Sequence, residues 1–214
     1  MVQIQKDSIT GYKDGTVSYS LLKKASQGKT LAIMFPGYGY TAQGPLFHYS
    51  TGIFLNRGED VLHLNYSYQS PFYESFSDKE LDDALKRDVR HVIDTVLSAH
   101  SYEHFYLIGK SLGTIALAAE LGRTAFLDAK IVWLTPLLKR DDVFEGMYTS
   151  KKRGLCIIGD SDPCYDPERF EKLSENPFLE RVLINGADHS LEDSEDPVGS
   201  VDVLKDVMMN IKRF

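Results

Sequence analysis

Phe105-Tyr106-Leu107-Ile108-Gly109-Lys110-Ser111-Leu112-Gly113-Thr114-Ile115-Ala116-Leu117-Ala118-Ala119 is the stretch on which the fold turns. A β-type apolar run stops at Gly109, and a run of small and apolar helix formers starts at Leu112. Between them stands Gly109-x-Ser111-x-Gly113, the nucleophile-elbow pattern, in which a sharp strand-to-helix turn holds a serine oxygen out at the top of a sheet. A serine in strained backbone needs neighbours without a β-carbon, because strand and helix approach closely on both sides. Five residues of this kind arise by chance in many chains; the strand before and the helix after give them weight. Gly109-Lys110-Ser111 also invites a phosphate-loop reading, but that motif needs a glycine at position 104, which is His104.

On either side of this stretch the chain alternates apolar strands with amphipathic helices. Strands are expected at 30–35, 60–66, 104–108, 130–134, 155–158 and 179–184. Helices are expected near 44–57, 78–99, 112–122, 141–150, 167–174 and 197–212. The helix at 78–99 is the clearest, with Ser77 and Glu80 at capping-box spacing and Leu81, Leu85, Val89, Val92 and Val96 three and four residues apart. Asp166-Pro167 reads as an N-cap followed by proline at the first helical position. Ahead of the alternation, residues 2–9 and 17–22 form an antiparallel hairpin turned at 11–15, where Asp14-Gly15 is the turn signal. Repeated alternation implies a mostly parallel sheet with helices on both faces. Ligands of such sheets gather at the carboxyl ends of the strands.

The expected strand ends collect one chemistry. Gly159-Asp160-Ser161-Asp162-Pro163-Cys164 follows one strand and Asn185-Gly186-Ala187-Asp188-His189-Ser190 the next. Serine is a poor nucleophile until a base takes its proton, and the base needs a carboxylate to orient it. Of the six histidines, His189 alone directly follows a strand in a glycine-containing loop, so it is the expected base. His63 lies inside a strand and reads as a core residue, whereas His91 and His100 read as solvated positions of the long helix. Asp162 and Asp160 both remain candidates for the acid, with Asp162, further into its loop, preferred. Asp188 adjoins the histidine and reads as loop-forming, and Asp166 is committed to its cap. An oxyanion needs two preorganised N–H donors, expected from Leu112 and, in the loop after the 30–35 strand, from Tyr38.

Ser111, Asp162 and His189, in that order and in these strand contexts, resemble the α/β-hydrolase superfamily. The resemblance runs from Phe35-Pro36-Gly37-Tyr38-Gly39 to the C-terminal helix, and Gly159, three residues before Asp162, stands where that family places a glycine. Pro36-Gly37 departs from the frequent His-Gly of its oxyanion loop. The 136–154 segment is too short for a lid domain, so the chain looks like the small members with minimal or no lid. The resemblance implies an α/β-hydrolase fold in one domain, residues 1–214. It also implies a carboxylesterase-like serine hydrolase acting on a small soluble ester, or a thioester or amide, with no metal or organic cofactor. Tyr40, Tyr68 and Leu137 are the expected substrate-binding residues. A catalytically silent binding or regulatory protein of the same fold is the rival reading.

Composition fits. The chain has 214 residues, 43% hydrophobic and 26% charged, enough for a core without staples. A net charge of −7 argues against nucleic-acid or anionic-membrane partners and otherwise says only that the protein should be soluble; the small-molecule substrate is what the resemblance implies. The N-terminus has no signal-type apolar core, and no run approaches the roughly 18 apolar residues of a membrane helix. Two cysteines, Cys156 and Cys164, make no disulfide framework, so free thiols and a cytoplasmic location are expected. Gly37-x-Gly39-x-x-Ala42 resembles a dinucleotide fingerprint, but the acidic residue expected at the end of the next strand is missing at Tyr66.

Overall fold

The computed structural model describes residues 1–24 and 28–214. Among these residues, eight strands form one sheet: β1 (Gln3–Thr10), β2 (Thr16–Lys23), β3 (Thr30–Phe35), β4 (Asp60–Asn65), β5 (His104–Lys110), β6 (Lys130–Leu134), β7 (Gly154–Gly159) and β8 (Leu179–Ile184). Their spatial order is β1-β2-β4-β3-β5-β6-β7-β8. β1 and β2 pair antiparallel, β2 meets β4 antiparallel, and from β4 to β8 every pair is parallel. Six α-helices follow the expected order: α1 (Pro45–Asn56), α2 (Asp78–Ala99), α3 (Gly113–Glu120), α4 (Asp141–Thr149), α5 (Pro167–Lys172) and α6 (Gly199–Arg213).

The unbroken apolar runs of the central strands have a simple cause: both faces of the sheet are covered. In β3, Leu31, Ile33 and Phe35 pack into one core layer, whereas Ala32 and Met34 enter the other. β5, β6 and β7 alternate in the same way. One layer is completed by α2 (Leu85, Val89, Val92, Val96), α3 and α4; the other by α1 (Leu46, Phe47, Phe54) and α6 (Val207, Ile211). The caps are as the sequence suggests. Ser77 and Glu80 form a full capping box on α2, and Asp166 accepts from the Arg169 amide at the start of α5.

Two local details differ from expectation. At the β1–β2 turn, the left-handed backbone falls on Lys13 and Asp14, while Gly15 is extended. β5 does not stop at Ile108 but carries Gly109 and Lys110 as strand residues, paired with Trp133 and Leu134 of β6. Lys110 is therefore held inside the sheet edge and only 3% exposed. The β6–β7 connection holds a single helix, α4, and among the described residues no lid domain stands over the carboxyl ends of the strands.

Candidate active site

Ser111 sits where β5 ends and α3 begins, with φ of +50°, a left-handed conformation that a non-glycine residue rarely adopts. Its amide donates to the Leu134 carbonyl (3.1 Å), and its own carbonyl accepts from the Thr114 amide (2.9 Å) and hydroxyl (2.6 Å). The turn is tight enough that a β-carbon on Gly113 would lie 2.0 Å from the Phe35 carbonyl oxygen, so only glycine fits there. This close contact brings the loop after β3 against the elbow.

The neighbouring strands deliver the rest. His189 Nε2 lies 2.7 Å from Ser111 Oγ, and its Nδ1 lies 2.9 Å from both Asp162 oxygens. Asp162, which is 4% exposed, also accepts from the Cys164 amide (2.7 Å), which fixes the carboxylate under the ring. Three residues separated widely in sequence thus form one hydrogen-bonded line at the carboxyl ends of β5, β7 and β8. Asp160 is placed elsewhere: exposed, it accepts from the Gly186 amide (2.7 Å) and pins the β8 loop. Asp188 is loop-forming, accepting from the Ser190 and Glu192 amides.

Tyr38 is an exposed side chain on the loop after β3, and Leu112 is half-buried at the start of α3. Among the described residues, the amides of Tyr38 and Leu112 make no hydrogen bond within the protein. Both are thus available as donors. Beside Tyr38 a hollow of about 250 Å³ runs between the β3 and β4 loops, lined by Tyr38, Tyr40, Tyr66, Tyr68 and Gln69 among others.

The tyrosines there have commitments that the sequence could not display. The Tyr40 hydroxyl accepts from the Leu46 amide (2.9 Å), its ring lies 4.7 Å from Lys110 Nζ, and burial pushes its pKa up to about 12. Tyr68 is 5% exposed and donates to Asp88 Oδ2 (3.0 Å), with burial holding its hydroxyl far above the usual range. They offer ring surface to the hollow, not free hydroxyls. Leu137 stands on the opposite side of the elbow, its amide 3.5 Å from Thr114 Oγ1.

The remaining titratable groups fall outside this line. His63 is buried against Thr51 Oγ1 (2.7 Å), and His48, His91 and His104 are exposed. Burial and the neighbouring Asp162 push the Cys164 thiol up, which disfavours a thiolate. Among the described residues, the one set of metal-type donors within 4.8 Å of one another is Asp162, Cys164 and His189. These donors are already engaged. A cation would have to take the Nδ1 proton and break the Asp162–His189 contact, so they do not make a built metal centre.

No family model matches the sequence, and no curated sequence is recognisably similar. Solved structures are. An α/β serine hydrolase homologue from Coxiella burnetii superposes with a TM-score of 0.73 at 15% identity, over 98% of this chain and 96% of that one. A lidless α/β serine hydrolase from Xanthomonas campestris gives 0.72 at 17% identity, over 99% and 94%. The chain has the α/β-hydrolase fold. An esterase from Pyrococcus furiosus shares this α/β-hydrolase architecture, with a TM-score of 0.72 at 16% identity over 99% and 93% of the two chains. At such identities the likeness speaks for the fold, and the chemistry rests on the side chains above.

Proposed function

We propose that the protein is a serine hydrolase that cleaves a small soluble ester, with thioesters and amides as related substrates. The observation that carries this reading is the continuous line from Ser111 Oγ through His189 to the buried Asp162 carboxylate. Ser111 attacks the acyl carbon while His189 Nε2 takes its proton, and Asp162 holds the ring by Nδ1 and stabilises the imidazolium that forms. Negative charge on the carbonyl oxygen is met by the amides of Leu112 and Tyr38. His189 returns the proton to the leaving group, then takes one from water, which attacks the acyl-enzyme and frees Ser111.

The hollow of about 250 Å³ beside Tyr38, with Tyr40 and Tyr68 in its walls, supports a compact substrate group, and Gly37, which also lines it, packs against Ser111. Both cysteines are free thiols, the form that a reducing compartment such as the cytoplasm keeps. Among the described residues, no helix is long and apolar enough to cross a membrane.

The test is hydrolysis of short-chain nitrophenyl esters and labelling by a fluorophosphonate, for wild type and Ser111→Ala. Labelling and turnover of the wild type, both lost in the variant, support the reading. Equal behaviour of the two proteins overturns it, and an unlabelled, inactive wild type points to the silent binding protein.

A further inference from the structure

Lys110 is the residue that the proposed reaction leaves unexplained. It follows Gly109 and precedes Ser111, where its side chain could have run into solvent, yet it is 3% exposed. The alternation along β5 accounts for its direction. Tyr106 and Ile108 face the layer that also contains Ala187 and Leu191 of the His189 loop, and Lys110 is the next residue of that phase. Its ammonium donates to the His189 carbonyl (2.8 Å) and reaches Thr135 Oγ1 (3.3 Å), with the Tyr40 ring 4.7 Å away.

A charge in such a place is costly unless its donors are used. Here they are spent on the main chain of the base loop. Thr135 adds an independent sign of constraint: it is a fully buried β-branched residue with φ of +43°, a strained conformation that brings its hydroxyl beneath Lys110. The strand that delivers Ser111 is thus tied, by its preceding residue, to the backbone of His189.

We infer that Lys110 is a positioning residue for the proposed reaction, clamping His189 to the nucleophile's own strand so that Nε2 stays within reach of Ser111 Oγ. This rests on the serine-hydrolase reading above. The clamp is charge-dependent. The groups facing the ammonium are Asp162 and Cys164 from the β7 loop, Asp188, His189 and Glu192 from the β8 loop, Tyr40 from the β3 loop and Thr135 after β6. Burial lowers the Lys110 pKa to about 8, against the pull of those acids. Above that pH the amine is neutral, and both the charge-assisted bond to His189 and the attraction to the Tyr40 ring weaken.

The experiment compares wild type, Lys110→Met, Lys110→Gln and Thr135→Val by fluorophosphonate labelling rate and by ester turnover from about pH 6 to 10, a window spanning the reference pKa values of His and near those of Lys. Circular dichroism is the check on folding. Wild type is expected to lose kcat above about pH 8 as Lys110 deprotonates. Lys110→Met is expected to lose roughly 10²-fold in kcat at neutral pH, the scale of a small misplacement, with KM little changed and no alkaline limb. Lys110→Gln, which keeps N–H donors, recovers part of that loss, and Thr135→Val moves the limb to lower pH. Should Lys110→Met not fold, the shift in Thr135→Val decides. A folded Lys110→Met with the wild-type labelling rate and pH profile overturns the clamp while leaving the hydrolase reading intact. An unlabelled wild type overturns that reading instead.

Discussion

Gly159 and Ala187 are so closely apposed that a β-carbon built on the glycine would lie 1.9 Å from the alanine carbonyl oxygen. This contact joins the end of β7 to the loop after β8, and the two residues that must meet, Asp162 and His189, lie just beyond it on either side. Gly159→Ala is expected to push the histidine loop outward. Ester turnover falls by roughly 10²-fold or more, the scale of a misplaced catalytic group, and the melting temperature falls as well. Turnover and thermal denaturation of the variant measure both. Wild-type values would mean that the loop position does not depend on this contact.

The two aspartates after β7 make a sharper comparison. Asp162 Oδ1 and Oδ2 both face His189 Nδ1 at 2.9 Å, whereas Asp160 accepts from the Gly186 amide (2.7 Å). Asp162→Asn is expected to lower kcat by roughly 10⁴-fold, because the amide supports the wrong tautomer of the ring. Asp160→Ala removes the hydrogen bonds from the Gly186 amide and the Ser161 hydroxyl in an exposed loop, and is expected to cost about 1 kcal/mol of stability with little loss of kcat. Kinetics and urea denaturation of both variants test this. The reverse order would make Asp160 the acid.

That comparison also marks how far the sequence could be read. β3, β6 and β8 begin and end at the expected residues, and Pro36, Thr135 and Asn185 mark their carboxyl ends. The site was legible for a similar reason: chemistry-bearing residues cluster immediately after strands. Lys110 was not, because a lysine in a glycine-rich turn gives no local sign of burial, and its partners His189 and Thr135 come from distant loops. The hydroxyl partner of Tyr68 was hidden in the same way. The carboxylate that engages its hydroxyl is Asp88, two turns and more into α2, and nothing near Tyr68 in the chain announces it.

A glycine without such a constraint gives the opposite outcome. Gly52 lies in the middle of α1, exposed, and a β-carbon built there meets nothing within 4 Å. Gly52→Ala therefore removes backbone freedom from the unfolded chain without a clash, and is expected to stabilise the protein by about 0.5–1 kcal/mol. Denaturant unfolding should show a higher midpoint at an unchanged slope. A lower midpoint would mean that α1 has less room beside α6 than the fold provides.

His63 carries a prediction about acid stability that is independent of the site. Its ring is 6% exposed on β4, hydrogen-bonded to Thr51 of α1 at 2.7 Å, and burial lowers its pKa to about 4. In the unfolded chain an imidazole titrates near 6.5, so between these values the unfolded state binds more protons than the native state. Stability therefore decreases as pH falls through that window. The contribution is fully present above about pH 6.5 and fully lost below about pH 4. The gap between those two pKa values corresponds to about 3 kcal/mol. Urea unfolding of wild type and His63→Gln at several pH values from 7 to 4 tests this, because titrations common to both proteins cancel in the difference. Wild type should lose more stability than the variant across the window, and parallel curves would show that His63 takes up its proton without opening the packing between β4 and α1.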